Sequence, residues 1–192
     1  METAQDPVGG RAETIRAFVG IGLPRTHRER LGGYLEACRA AAPDFRWVRA
    51  GNLHLTLRFL GPVDGARLEV LAASLRRLTI EPFALRLGGL GTFGRAAVVR
   101  VVWIGLVAGG TELARLAAAV EARCEEAGLP SEERPYNPHL TLARARQRRG
   151  ARLPQLPPPP ELEPWIGGAF GLYRSRPAPG GAAYTVLEEF AG

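Results

Sequence analysis

The tetrapeptide His-Leu-Thr-Leu occurs twice, at His54–Leu57 and His139–Leu142, and the two copies stand 85 residues apart. Around them the same offset carries Phe18 onto Trp103, Gly20 onto Gly105, Thr26 onto Thr111 and Thr56 onto Thr141 without a gap. A fixed period of this kind is the mark of two structural repeats, each able to present one histidine in the same local setting. The chain has 3 histidines in all, so two of the three lie in the duplicated motif. That pairing suggests a site in which one imidazole accepts a proton and the other donates one.

Each repeat reads as strand, helix, strand. Residues 15–22 and 98–106 are β-rich apolar runs. A capping box of Thr26 and Glu29 predicts a helix starting near Arg28, with Leu31, Leu35, Cys38 and Ala42 on its apolar stripe. Thr111 is the expected cap of the second helix, whose stripe is Leu113, Leu116, Val120 and Cys124 and which ends at Gly128 and Pro130. The histidine strands follow, at about 53–60 and 138–145. Asp64 is placed to cap a further helix with Leu68, Leu71, Leu75 and Leu78 inward. Strands are expected over 82–88, 168–174 and 183–190, with GGLGTFG (88–94) as a turn; it lacks the spacing and the lysine of a phosphate-binding loop. The irregular alternation of strands and helices predicts an α+β fold with mostly antiparallel pairing. Residues 1–13 read as a polar tail before a single domain spanning 14–192.

At 192 residues and 46% hydrophobic the chain can bury a core without staples. Cys38 and Cys124 are too few for a disulfide framework and fall on helix stripes, where cysteine acts as a small apolar side chain. No run is long enough to span a bilayer and no apolar leader is present, so the expected setting is soluble and cytoplasmic. The net charge is +6 and every basic residue is arginine, whose planar fork suits phosphate. Coding bias accounts for that composition equally well.

Side chains alternate along a strand, so His54, Thr56 and Arg58 are expected on one face and His139, Thr141 and Ala143 on another, with the motif leucines and Phe59 buried behind. By strict alternation Arg144 points away from His139 unless the strand ends or bulges there. Imidazole and hydroxyl so placed favour metal-free phosphodiester cleavage: one histidine deprotonates water, the other protonates the leaving oxygen, and the threonines hold the phosphate. Two histidines without a carboxylate or thiolate at ligand spacing do not make a metal site, and no cofactor is expected. His27, among charged residues at a helix start, reads as a solvated surface residue. ARARQRRGAR (143–152) reads equally as a contact for RNA phosphates or a solvated loop, and the Pro157–Pro160 run as a stiff connector. Phe59 and Trp47 read as core; Tyr136 is left open between core packing and stacking on a base.

The two HLTL motifs, with LRFLG after the first and RPYNPHLTLAR around the second, resemble the 2H phosphoesterase superfamily, and within it the RNA 2′,3′-cyclic phosphodiesterases, also called 2′-5′ RNA ligases. The likeness runs from IRAFVGIGLP through GLGTFG and VVWIGL to YTVLEEF. It implies a bilobal α+β fold with the histidines facing across a cleft, and hydrolysis of an RNA terminal 2′,3′-cyclic phosphate to a 2′-phosphate. It implies His54 as proton donor, His139 as proton acceptor, and Thr56 and Thr141 as phosphate-binding. Arg58, Arg144 and Tyr136 are further candidate substrate contacts. The implied partner is an RNA or oligonucleotide with a cyclic-phosphate end, met by a monomer, with 2′-5′ ligation as the reverse reaction. The residues alone leave open which histidine is acid and which is base. They also leave open a phosphoesterase of the same superfamily acting on a small cyclic nucleotide or 2′-5′ oligonucleotide, and a nucleotide- or RNA-binding module without turnover. A binder would have no need of both an acid and a base.

Overall fold

Leu55 and Leu140, equivalent positions of the two repeats, are backbone partners of each other at the centre of the sheet. An antiparallel rung that joins a residue to its own repeat equivalent is what a local two-fold axis through the rung requires. This computed structural model describes residues 14–179 and 181–191; the expected polar tail (1–13) lies outside the described residues.

Each repeat opens on a strand, β1 (Thr14–Gly22) and β5 (Val98–Ala108), passes through a helix, α1 (Arg25–Ala41) and α3 (Gly110–Glu126), and returns on a motif strand, β3 (His54–Asp64) and β6 (Leu140–Ala145). Between and after them lie β2 (Phe45–Trp47), α2 (Gly65–Leu75), β4 (Phe83–Arg95), β7 (Trp165–Gly167), β8 (Ala169–Ala178) and β9 (Gly181–Ala191). The strands form one sheet in the order β7-β4-β5-β6-β3-β1-β8-β9, with β2 beside β6 and every pairing antiparallel. The expected α+β class with antiparallel pairing holds. Cut at the central rung, the halves run β3-β1-β8-β9 and β6-β5-β4-β7. β4 follows the first repeat in the chain yet joins the second half, while β8 and β9 follow the second repeat and join the first.

The apolar stripes behave as their spacing dictates. Leu31, Leu35, Cys38 and Ala42 of the α1 region, and Leu113, Leu116, Val120 and Cys124 of α3, are all buried against the sheet. Leu55, Leu57, Leu140 and Leu142 are buried on the same side. Asp64 caps α2 through Oδ1, which accepts from the Arg67 amide at 2.8 Å.

The other two caps differ from expectation. α1 begins at Arg25 directly after Pro24, which has no side chain to cap with, and Glu29 pairs with Arg25 instead of completing a capping box. α3 begins at Gly110 after Gly109 in the left-handed region (φ 81°), so Thr111 lies inside the first turn. GGLGTFG is strand, not turn: it forms the second half of β4. A Cβ on Gly91 would lie 2.2 Å from the Trp103 ring on β5, so at this position glycine makes room for an indole across the ladder.

Candidate active site

The buried rung fixes where the polar motif residues go. With Leu55 and Leu140 turned into the core, His54 and Thr56 on either side of the first, and His139 and Thr141 on either side of the second, project from the opposite face. The antiparallel register sets His54 across from Thr141 and Thr56 across from His139. The two imidazoles thus occupy diagonal corners, with backbones about 7–8 Å apart at such positions, and the two threonines occupy the other diagonal.

Strict alternation fails immediately beyond these residues, and fails alike in both motifs. Gly20 pairs with Thr56 and Val19 with Arg58, so the ladder skips Leu57. Trp103 pairs with Thr141 and Val102 with Ala143, so it skips Leu142, the same position 85 residues on. A bulge reverses the face of everything after it. Phe59, expected in the core, is 50% exposed and lies 6.2 Å from the Phe18 ring on the histidine side. Arg144 likewise rejoins the side of His139 and Thr141, close enough for its charge to bear on both imidazoles. Arg58 and Ala143 turn the other way. Arg58 pairs with Glu121 on α3 and with Glu132 at 3.9 Å, and donates to the Pro130 carbonyl, so its guanidinium is already engaged within the fold. The bulges also break the symmetry, because the post-bulge position is Phe59 in one half and Arg144 in the other.

Both imidazoles are anchored identically. His54 Nδ1 lies 2.7 Å from the Asn52 carbonyl oxygen and His139 Nδ1 lies 2.7 Å from the Asn137 carbonyl oxygen. A carbonyl can only accept, so Nδ1 carries a proton and Nε2 is the atom presented to a ligand. Asn52 and Asn137 obey the 85-residue offset and escaped the sequence reading, although that offset was the signal for them. Burial lowers the basicity of both histidines below the ordinary imidazole range. For His54 the bond to Asn52 opposes this, and the positive Arg144 and His139 add to it. For His139 the Asn137 bond opposes and Arg144 adds.

Aromatic rings hold the imidazoles in place. Phe18 stacks on His54 with centroids 4.5 Å apart, and Tyr184 meets it edge-on at 5.2 Å. His139 has Phe93 edge-on at 5.1 Å and Trp103 at 6.0 Å. The repeat partners Phe18 and Trp103 each flank their own histidine, although the register of β5 on β6 is two residues out from that of β1 on β3. In the first half Gly20 stands opposite Thr56 and leaves space for the Phe18 ring; in the second, Trp103 itself stands opposite Thr141. Tyr136 donates through its hydroxyl to the Thr56 carbonyl at 2.9 Å and lines the cleft, bridging the segment before His139 to β3.

His27 is removed from this site. It is 7% exposed, not solvated as expected, with Nε2 donating to the Glu163 carbonyl at 2.8 Å and the ring edge-on to Trp165. Trp47 is buried at 3%, as expected of core. Among the described residues no group of three or more histidine, cysteine, aspartate or glutamate side chains gathers in metal-ligand geometry. Among the described residues no helix is long and apolar enough to cross a membrane.

The family profile of the 2′-5′ RNA ligase superfamily matches residues 24–170. The chain is 32% identical over 180 residues to an RNA 2′,3′-cyclic phosphodiesterase of Escherichia coli, covering 94% of this chain and 98% of that one. It is 36% identical over 187 residues to an RNA 2′,3′-cyclic phosphodiesterase of Thermus thermophilus, covering 92% and 90%. In three dimensions it superposes on E. coli LigT complexed with 3′-AMP with a TM-score of 0.78 at 32% identity, covering 93% of this chain and 98% of that one. Sequence repeat, sheet and matches agree, and the chain belongs to the 2′-5′ RNA ligase superfamily.

Proposed function

We propose that this protein hydrolyses the terminal 2′,3′-cyclic phosphate of RNA to a 2′-phosphomonoester, with His54 and His139 as the acid–base pair. The observation that carries the reading is the diagonal arrangement of two Nδ1-anchored imidazoles and two threonines around one backbone rung. Nε2 of neutral His139 takes a proton from water as the water oxygen attacks phosphorus. The bond from phosphorus to O3′ breaks, and protonated His54 delivers its proton through Nε2 to that oxygen, leaving a 3′-hydroxyl and a 2′-phosphate. The Thr56 and Thr141 hydroxyls donate to the non-bridging oxygens, and Arg144 offsets their growing charge. Attack by a ribose 5′-hydroxyl in place of water, with the same proton transfers, would form a 2′-5′ linkage; bulk water favours hydrolysis. All these groups come from one chain, which supports a single domain acting as a monomer, with its halves as the walls of the cleft. No step calls for a metal.

His54→Ala and His139→Ala should each lower turnover of adenosine 2′,3′-cyclic phosphate by about 10²–10⁴-fold, the usual contribution of a positioned acid or base. Product analysis of cyclic-phosphate-ended RNA should find the 2′-phosphate alone, with or without chelator. Near-normal turnover in either variant would overturn the assignment.

A further inference from the structure

Thr56, Tyr136, His139 and Arg144 line part of a cleft of about 1290 Å³ that runs on past Arg58 to Ala117 and Glu121 of α3. His54 lines an adjoining pocket of about 340 Å³ with Phe18 and Tyr184. Pockets that take small ligands run to roughly 300–1,000 Å³, so the larger cleft exceeds what a mononucleotide needs. Its lining carries seven arginines and two glutamates. Both glutamates are engaged: Glu121 with Arg58, and Glu132 with Arg58 and Arg134. Arg95 and Arg100, at the β4–β5 turn, and Arg148 and Arg149, in the loop after β6, are exposed to the cleft, and none of the four forms a salt bridge among the described residues.

The loop bearing Arg148 and Arg149 is built, not merely solvated. Its start is tied by the Arg146 amide to the Asp44 carbonyl at 2.9 Å and by Arg146 Nε to the Pro43 carbonyl at 2.9 Å. Its end is tied by a reciprocal pair of backbone bonds between Val99 and Ala151, at 2.8 and 2.9 Å. Gly150 between them sits at φ 100°, where a Cβ would lie 2.6 Å from Val98 and 3.2 Å from Arg100. The loop is thereby pressed against β5, so Arg100 and the loop arginines form one cationic wall. Half-exposed Phe59 and the Phe93 ring line the same cleft.

We propose that this wall is a track for single-stranded RNA upstream of the cyclic phosphate. Arg95, Arg100, Arg148 and Arg149 take backbone phosphates of at least two preceding nucleotides, and Phe59 and Phe93 offer stacking faces to unpaired bases. Single strands suit the site because stacking on aromatic side chains needs bases free of a helix, and fixed arginines meet phosphates whatever the sequence. The proposal rests on the hydrolase reading for the position of the terminal phosphate, and the experiment separates the two.

Affinity is read by fluorescence anisotropy on a 5′-labelled five-nucleotide RNA ending in a 2′-phosphate, and turnover is read separately on adenosine 2′,3′-cyclic phosphate. Arg148→Ser/Arg149→Ser should weaken pentanucleotide binding about tenfold or more, leave mononucleotide turnover within about twofold, and flatten the log-affinity against log-salt slope by about 1.4, at roughly 0.7 per lost phosphate contact. Arg95→Ser/Arg100→Ser, on the β4–β5 side of the same wall, should behave alike. Unchanged affinity and salt slope in both double variants would overturn the track. Arginine-dependent RNA binding in a protein that does not turn over the mononucleotide would support the track and sink the hydrolase reading.

Discussion

Arg144 is the cation that acts on both imidazoles of a site that is otherwise nearly symmetric. It occupies the post-bulge position held by Phe59 in the other half, and its charge falls on both imidazoles. Desolvation is the larger cause of their lowered basicity, and Arg144 acts in the same direction. With both groups below about 6.5 in the free enzyme, the bell of kcat/KM against pH should peak on the acid side of that value. Replacing Arg144 with Gln removes a positive charge, which favours the protonated imidazole and raises both values. Both limbs of the profile should therefore move to higher pH, while kcat/KM at the optimum falls about 10²-fold through lost stabilisation of the phosphoryl oxygens. Limbs that stay in place, or move toward acid, would show that Arg144 does not act on the titrating pair.

At the scale of elements, the sheet leaves little room for adjustment at the central rung. A Cβ on Gly20 would lie 2.8 Å from the Leu55 carbonyl oxygen and 3.4 Å from His54 Cδ2. The crowded atom is backbone, so β1 would have to lift from β3 next to the rung that sets the histidine diagonal. Gly20→Ala should cost about 1–3 kcal/mol, the usual range for overpacking, and lower turnover even in protein that remains folded. Gly33→Ala in α1 meets nothing within 4 Å and should instead stabilise by about 1 kcal/mol. Urea unfolding of the pair checks both signs.

These contacts also explain what the chain's text could and could not convey. The repeat, the two helix stripes, the Asp64 cap and the four motif side chains follow from local periodicity, and all appear where periodicity puts them. The bulges at Leu57 and Leu142 do not: nothing in either strand announces a skipped rung, and the faces of Arg58, Phe59 and Arg144 changed with it. GGLGTFG looks like a turn because its strand character comes from β5, whose Trp103 needs the space that Gly91 leaves. β2 and β7 are three residues each, too short to leave a period, and exist because β6 and β4 offer them an edge.

Seen whole, the molecule is held by segments that cross between its halves, and His27 belongs to that scaffold. The chain leaves β6 in the second half, runs through the proline-rich connector and must be brought back over α1 before β7 can pair with β4. Two residues of α1 pin it: the Tyr34 hydroxyl donates to the Pro157 carbonyl at 3.1 Å, and His27 Nε2 donates to the Glu163 carbonyl at 2.8 Å, two residues before Trp165 opens β7. The imidazole is buried and packs edge-on against Trp165, so its loss removes a hydrogen bond and opens a gap together. His27→Ala should lower stability by about 2 kcal/mol, read from the urea midpoint at unchanged slope. Turnover per folded molecule should hold within about twofold, in contrast to the losses at His54 and His139. A loss of turnover in fully folded His27→Ala would mean that the connector, and the strand it delivers to the β4 edge, reaches through the sheet to the His139 side of the site.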